Sequence, residues 1–310
     1  MCYNYIMIYP MDLVEFESRF GTEEACREYL FSLKYKDGFV CSKCEHTEYW
    51  AVNNVFTCKK CRQQNHLTVN TIFQDTHKPL HLWFRAMWWV TSQKNGTSAL
   101  GLQRILGIGS YRTAWTWLHK LRVAMVRPGR DKLKGIIEVD EAFIGGKQSG
   151  GKRGRGTENK VLVVVAAEHS EVKNRIGRIR LGIIKDASSE SLENFLVECV
   201  ERGSTVITDG WLGYNNIETM GYKHKRIVSN NEEKLLPKVH LVISLLKRWI
   251  MGTLQGSVSD QHIEYYLDEF TFRFNRRTSE SRGKLFYRLV EQAAGIDTVT
   301  YNDIIERKGA

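Results

Sequence analysis

Ile136-Ile137-Glu138-Val139-Asp140-Glu141-Ala142-Phe143-Ile144-Gly145-Gly146 reads as a β-strand that carries a carboxylate into a site. β-Branched and aromatic residues dominate the run, and a glycine pair turns the chain at its end. Alternation places Ile137, Val139 and Glu141 on one face, with Glu138, Asp140 and Ala142 on the other. An acid inside an apolar strand is costly to bury unless it is paired, hydrogen-bonded or metal-bound. A solvated edge strand would show the same acids. A second run of the same kind tips the reading toward a site: Thr205-Val206-Ile207-Thr208-Asp209-Gly210, again apolar and ending in an aspartate before glycine.

Around these two runs the pattern is regular. Strands are expected at 136–144, 161–167 and 176–184, then a helix over 188–201 with Leu192, Phe195, Leu196 and Val200 facing inward. A strand at 205–209, a short helix around 214–220, a strand at 223–228 and long helices over 237–252 and 260–275 follow. The order β-β-β-α-β-α-β-α matches an α/β, ribonuclease H-like domain with a mixed sheet, expected over residues 133–295 and followed by a tail at 296–310. In that architecture the first strand and a later parallel strand bring carboxylates side by side, and a following helix adds a third ligand. Phosphodiester chemistry needs such a cluster, because Mg2+ or Mn2+ ions stabilise the attacking and leaving oxygens.

Upstream, Cys41-x2-Cys44 and Cys58-x2-Cys61 stand thirteen residues apart. Each pair suits a tight knuckle whose thiolates share one tetrahedral Zn2+, and Tyr49, Trp50, Val52, Val55 and Phe56 suit a hairpin between them. The zinc ribbon is expected over 41–72, behind a helical segment at 1–40 whose helix opens on Thr22-Glu23-Glu24. Residues 76–127 read as helical. Trp83, Phe84, Trp88 and Trp89 suit a core, and the helices over 98–106 and 111–125, broken by Gly107-Ile108-Gly109, form a helix-turn-helix candidate. Arg112, Thr113, Thr116, His119, Lys120 and Arg122 fall on the remaining faces of the second helix, as in a helix that enters a major groove. A plain αα-hairpin has the same pattern.

The chain has 310 residues, a formal net charge of +10 and a pI near 9.2, which implies a polyanionic partner, nucleic acid first. Lys147, Lys152, Arg153 and Arg155 lie in a glycine-rich loop suited to a phosphate backbone, although a solvated loop would have the same composition. No run is long and apolar enough for a membrane span and no secretory leader is visible. Seven cysteines, four in tight pairs, suggest a metal site in a reducing cytosol. A cytoplasmic, nucleoid-associated protein is expected, with translation starting at Met1 or Met11.

Taken together, the cysteine pairs, Glu138 to Gly146, Thr208-Asp209-Gly210-Trp211-x-Gly213-Tyr214, Ser244-Leu245-Leu246-Lys247-Arg248 and Tyr265-Tyr266-Leu267-Asp268-Glu269-Phe270-x-Phe272-Arg273-Phe274-Asn275-Arg276-Arg277 resemble bacterial insertion-sequence transposases of the zinc-ribbon DDE group, the IS-fifteen-ninety-five family. The resemblance spans about Thr22 to Ala294. It implies cutting of DNA at the element's terminal repeats and joining to target DNA, with Asp140 and Asp209 as metal-binding aspartates. Lys247 matches the lysine that follows the third ligand. Self-association is expected because two ends must be joined. Where a glutamate would stand, seven residues before that lysine, this chain has His240. Imidazole binds Mn2+ or Zn2+ but is a poorer ligand for Mg2+ than carboxylate. His240 reads either as a ligand or as a group that only orients water or DNA. Arg248, Arg276 and Arg277 add basic positions suited to DNA, while Trp211 and Tyr214 suit either base stacking or core packing. A DNA-binding regulator that has lost catalysis, or a nuclease or resolvase on the same fold, would share much of this pattern.

Overall fold

Residues 9–145, 160–172, 174–228, 236–255 and 258–306 are described by the computed structural model. They form two compact units, one built from 9–127 and 278–306, the other from 128–277.

In the first unit, α1 (Leu13–Phe20) opens on Asp12 and α2 (Glu23–Lys34) on Thr22, each accepting a backbone N–H of the first turn. The ribbon follows as an antiparallel sheet of β1 (Tyr49–Val52), β2 (Val55–Cys58) and β3 (Gln64–His66). It leans on the end of α2 through Phe31 and Phe56, whose rings lie 4.8 Å apart, while Lys34 donates to the carbonyls of His66, Leu67 and Val69. The aromatic run becomes α3 (Leu80–Ser92), and its rings are core: Trp83 stacks on Trp117 at 3.8 Å. The helix-turn-helix candidate is present as α4 (Ala99–Leu106) and α5 (Tyr111–Ala124), capped by Ser98 and Ser110, with Gly107 at φ 63 between them.

The second unit is a five-stranded mixed sheet. Its strands are β4 (Ile136–Ile144), β5 (Val161–His169), β6 (Ile176–Ile184), β7 (Thr205–Thr208) and β8 (Lys223–Arg226), in the order β6-β5-β4-β7-β8. The first three are antiparallel neighbours, while β4–β7 and β7–β8 are parallel. That is the ribonuclease H-like arrangement expected from the sequence, with β4 at the centre. The helices are α6 (Ser189–Cys199), α7 (Pro237–Leu254) and α8 (Ile263–Phe274). One core, with α6, takes Ile137, Val139, Val164 and Ala166; the other, with α7 and α8, takes Ala142, Ile144, Val163 and Val165. The alternation in β4 is therefore obeyed, and Glu138 and Asp140 point toward the α7 side. The expected short helix near Tyr214 resolves into two single-turn 3-10 pieces, Leu212–Tyr214 and Ile217–Met220.

The sequence boundary at residue 295 needs correction. Helices α9 (Arg282–Ala294) and α10 (Tyr301–Glu306) belong to the first unit, where Phe286 packs on Phe16, Phe84 and Trp88. The aromatic face of α9 matches the aromatic face of α3, so burial of those rings decides its place.

Candidate active site and zinc ribbon

In the ribbon, Cys41 and Cys61 place their sulfurs 3.6 Å apart, as do Cys44 and Cys58, and all four sulfurs lie within 4.8 Å of one another. A tetrahedral ion with Zn–S bonds near 2.3 Å separates its sulfurs by roughly 3.8 Å, so the donor set fits zinc. Each knuckle turns through a left-handed residue just after its second cysteine, Glu45 at φ 59 and Arg62 at φ 61. Burial raises the Cys41 thiol, but the backbone N–H groups of Lys43 and Cys44 and the neighbouring thiols bring it down to about 6. Against the His46 N–H, the neighbouring thiols push Cys44 up to about 12, so the four thiols share their protons as one group. Arg62 lies over the Trp50 ring at 4.4 Å, on the exposed side of the ribbon.

The carboxylate site is assembled by the sheet. Glu138 pairs with Ile207 in parallel register, and two residues further along each chain stand Asp140, on β4, and Asp209, just past β7, close enough for the charge of Asp209 to act on Asp140. His240, in the first turn of α7, places Nε2 3.1 Å from Oδ2 of Asp140. The Asp140 side chain is 18% exposed and that of His240 49%. Burial pushes the Asp140 carboxyl upward, and the charge of Asp209 adds to it, while the Glu141 N–H and His240 oppose. Asp209 in turn accepts the Trp211 N–H at 2.9 Å. A partly buried pair of acids beside an imidazole is the environment that a divalent cation relieves. Among the described residues the four thiols are the one group of three or more donors drawn within 4.8 Å; Asp140, Asp209 and His240 stand more openly.

Glu141 faces away from Asp140, as its strand position predicts, and accepts a 2.6 Å hydrogen bond from the Tyr214 hydroxyl. Burial first, then the charges of Asp140 and Asp209, raise Glu141, with Tyr214 opposing. Burial and the same carboxylate push Tyr214 well above its usual range. Tyr214 is thus core and not a stacking platform. Trp211 is different: its ring is half exposed, and its Nε1 donates to the Ala187 carbonyl at 2.8 Å. The ring crosses Gly213 so closely that a Cβ there would meet Nε1 at 2.7 Å, which explains the Trp-x-Gly spacing.

The basic positions divide. Lys247 and Arg248 are exposed on α7. Arg112 is exposed and lies over the Tyr301 ring at 3.8 Å. Lys120 is half-buried, donates to the Ile72 carbonyl, and burial lowers its pKa. His119 and Arg122, expected on a groove-facing surface, are buried within the first unit, because α5 turns more of its circumference inward than its apolar stripe suggested. Arg276 and Arg277 also have intramolecular partners: Arg276 lies over Phe272, and Arg277 lies over Phe274 and donates to the Ile176 and Gly177 carbonyls of β6. Asn275 pairs with both the N–H and the carbonyl of Ile179. Asn275 and Arg277 therefore occupy backbone groups of the edge strand β6, a role that no charge pattern reveals. Lys147, Lys152, Arg153 and Arg155 lie outside the described residues.

Residues 132–275 match the family model described as the ISXO2-like transposase domain, and residues 21–64 match the transposase zinc-ribbon domain. Among curated proteins, none matches. Among solved structures, the catalytic core domain of BIV integrase is 12% identical, with a TM-score of 0.33, over 50% of this chain and 94% of its own. The Drosophila P element transposase strand transfer complex is 11% identical, with a TM-score of 0.26, over 73% of this chain and 62% of its own. Likeness at that level is too weak to carry an argument. No helix among the described residues is long and apolar enough to cross a membrane.

Proposed function

We propose that this chain, with an ISXO2-like transposase domain at 132–275 and a transposase zinc ribbon at 21–64, cuts DNA at insertion-sequence ends and joins them to target DNA through Asp140, Asp209 and His240. The observation that carries this reading is the approach of His240 to Asp140 at 3.1 Å, beside the strand end that presents Asp209. The three side chains would hold Mg2+ or Mn2+, which when bound supply the positive charge that stabilises the attacking and leaving oxygens of an in-line displacement. Asp140 and Asp209 come from neighbouring parallel strands, so the sheet fixes their separation. The Tyr214–Glu141 bond ties the segment after Asp209 back to β4. Trp211, held edge-on by Ala187, offers an exposed face to an unpaired base. Lys247, two turns beyond His240, and its neighbour Arg248 meet phosphates, with Arg112 of α5 and the cations at 147, 152, 153 and 155 as further contacts. Zinc holds the ribbon. The protein acts in the cytoplasm at the nucleoid, as an oligomer that brings two ends together.

The test is cleavage of labelled duplex carrying the element's own ends, with Mg2+ or Mn2+ added. Wild-type cutting that disappears in Asp140→Ala, Asp209→Ala and His240→Ala is the expected result. Undiminished cutting by Asp140→Ala would overturn the site. Tight end binding without wild-type cutting would point instead to a regulator.

A further inference from the structure

Glu138 has no role in the chemistry above, yet it is among the most enclosed charged groups of the sheet, at 3% exposure. Its carboxylate reaches across to the start of α7. Oε2 accepts the N–H of Lys238 at 2.7 Å and that of Val239 at 3.0 Å, while His169 Nε2 lies 2.9 Å from Oε1. Helix α7 needs such an acceptor, because its N-cap residue Leu236 offers none and Pro237 follows. Helices α1, α2, α4, α5, α6 and α9 solve the same problem locally, with Asp12, Thr22, Ser98, Ser110, Ser188 and Ser281. Helix α3 also takes its cap from afar, from Glu23. A local cap satisfies the first turn but leaves the helix free to shift against the sheet. A cap supplied by the sheet fixes the helix to the strand.

The position of that link matters. Glu138 stands two residues before Asp140 on the same face of β4, and the amides it holds belong to the two residues immediately before His240. We propose that Glu138 is a positioning residue, a buried strut that sets the distance between His240 and Asp140 and thereby the affinity of the site for a divalent cation. This rests on the reading of His240 as a ligand. Glu138 touches no reacting atom and acts only through α7.

The experiment uses the full chain with its zinc in place and Mn2+ alone as probe, with free Mn2+ read by electron paramagnetic resonance and Asp140→Ala as the baseline for non-specific binding. Loss of a group that orients a ligand typically weakens metal binding about ten- to a hundredfold, and that is expected for Glu138→Ala. Glu138→Asp keeps the charge but draws the carboxylate back by one methylene, so it is expected to weaken binding similarly, and it serves if the alanine variant does not fold. Glu138→Gln keeps an oxygen that can accept both amides, and is expected to restore binding to within about threefold of wild type. Because Glu138 acts through His240, the Glu138→Ala/His240→Ala double variant is expected to bind no more weakly than His240→Ala. A general loosening of the fold would instead multiply the two losses, and that outcome overturns the proposal. Wild-type Mn2+ affinity in Glu138→Ala or Glu138→Asp, with His240→Ala impaired, also overturns it while the ligand reading stands. Wild-type affinity in His240→Ala removes the ligand reading, and this inference with it.

Discussion

The ribbon gathers four thiols into a closed knot, whereas the catalytic domain leaves two aspartates and a histidine in an open, half-solvated arrangement. The difference lies in what each unit can do without metal. The three short strands of the ribbon bury only Phe56, Cys58 and Asn65 of their own, with Phe39, Cys41 and Leu67 buried beside them. Bringing thiols that close has no reward until an ion binds, so the ion supplies folding energy. The mixed sheet has an apolar core on each face and needs none. The cation site proposed for Asp140, Asp209 and His240 would therefore be free to stay incomplete, which is what would admit a substrate oxygen. On that proposal one metal builds a structure and the other is served by one.

The comparison is broken most severely at the aspartates. Asp140→Asn and Asp209→Asn are each expected to lower end cleavage roughly a thousandfold or more. The melting temperature of the metal-free protein should stay level or rise for Asp140→Asn, since an enclosed charge facing another acid is removed. Loss of the fold in parallel with activity would mean that the site is structural after all.

The opposite behaviour is expected of Cys58→Ser or of chelation at the ribbon. Hydrogen exchange followed by mass spectrometry should lose nearly all protection over 41–66 while protection over 136–144 and 161–169 persists. Persistence of ribbon protection without zinc would remove the contrast. A smaller effect is expected at the third ligand: His240→Glu should shift the ratio of Mg2+- to Mn2+-supported cleavage about tenfold toward Mg2+, because carboxylate suits the harder ion. An unchanged ratio would mean that His240 does not contact the metal.

How far the sequence revealed all this follows the same division. Close spacing made the cysteines legible, since two short motifs define the whole site. The strands of the sheet were legible because apolar runs between glycines have few other uses, and Asp140 and Asp209 drew notice as acids inside one such run and at the end of another. What escaped depends on tertiary reach. Glu138 was placed on its strand face, but nothing in the local pattern connects it to Lys238 and Val239 a hundred residues on. Arg277 looked like a phosphate contact because charge is visible and the carbonyls of β6 are not. The span expected for the catalytic domain, 133–295, includes residues 282–294, which as α9 group with the first unit, and no local pattern names that partner.

Between the closed and open metal sites stands a third case, a carboxylate that the protein closes by itself. Glu168, near the end of β5, is enclosed, and burial alone would raise it. Hydrogen bonds from the Arg178 guanidinium and from the N–H groups of Lys134 and Arg178 outweigh that and lower it. Here a guanidinium takes the place that the proposed cation would take beside Asp140. A folded-state pKa below the ordinary carboxylate value means that the unfolded chain binds the proton more readily. The stability gained from Glu168 is then complete above its ordinary pKa, and is lost as pH falls through that value toward the lowered one. Glu168→Gln is expected to cost about 1–2 kcal/mol at pH 7, because the amide keeps an acceptor but loses the charge that faces Arg178. The difference between the two proteins should begin to shrink as the pH falls below the ordinary glutamate value of about 4.3, where the unfolded chain takes up the proton, and close once folded Glu168 is neutral too. Thermal melts from pH 7 to pH 3 read both quantities. A gap that stays constant across that range would mean that the charge of Glu168 does not stabilise the sheet, and that shape alone distinguishes this closed carboxylate from the open one at Asp140.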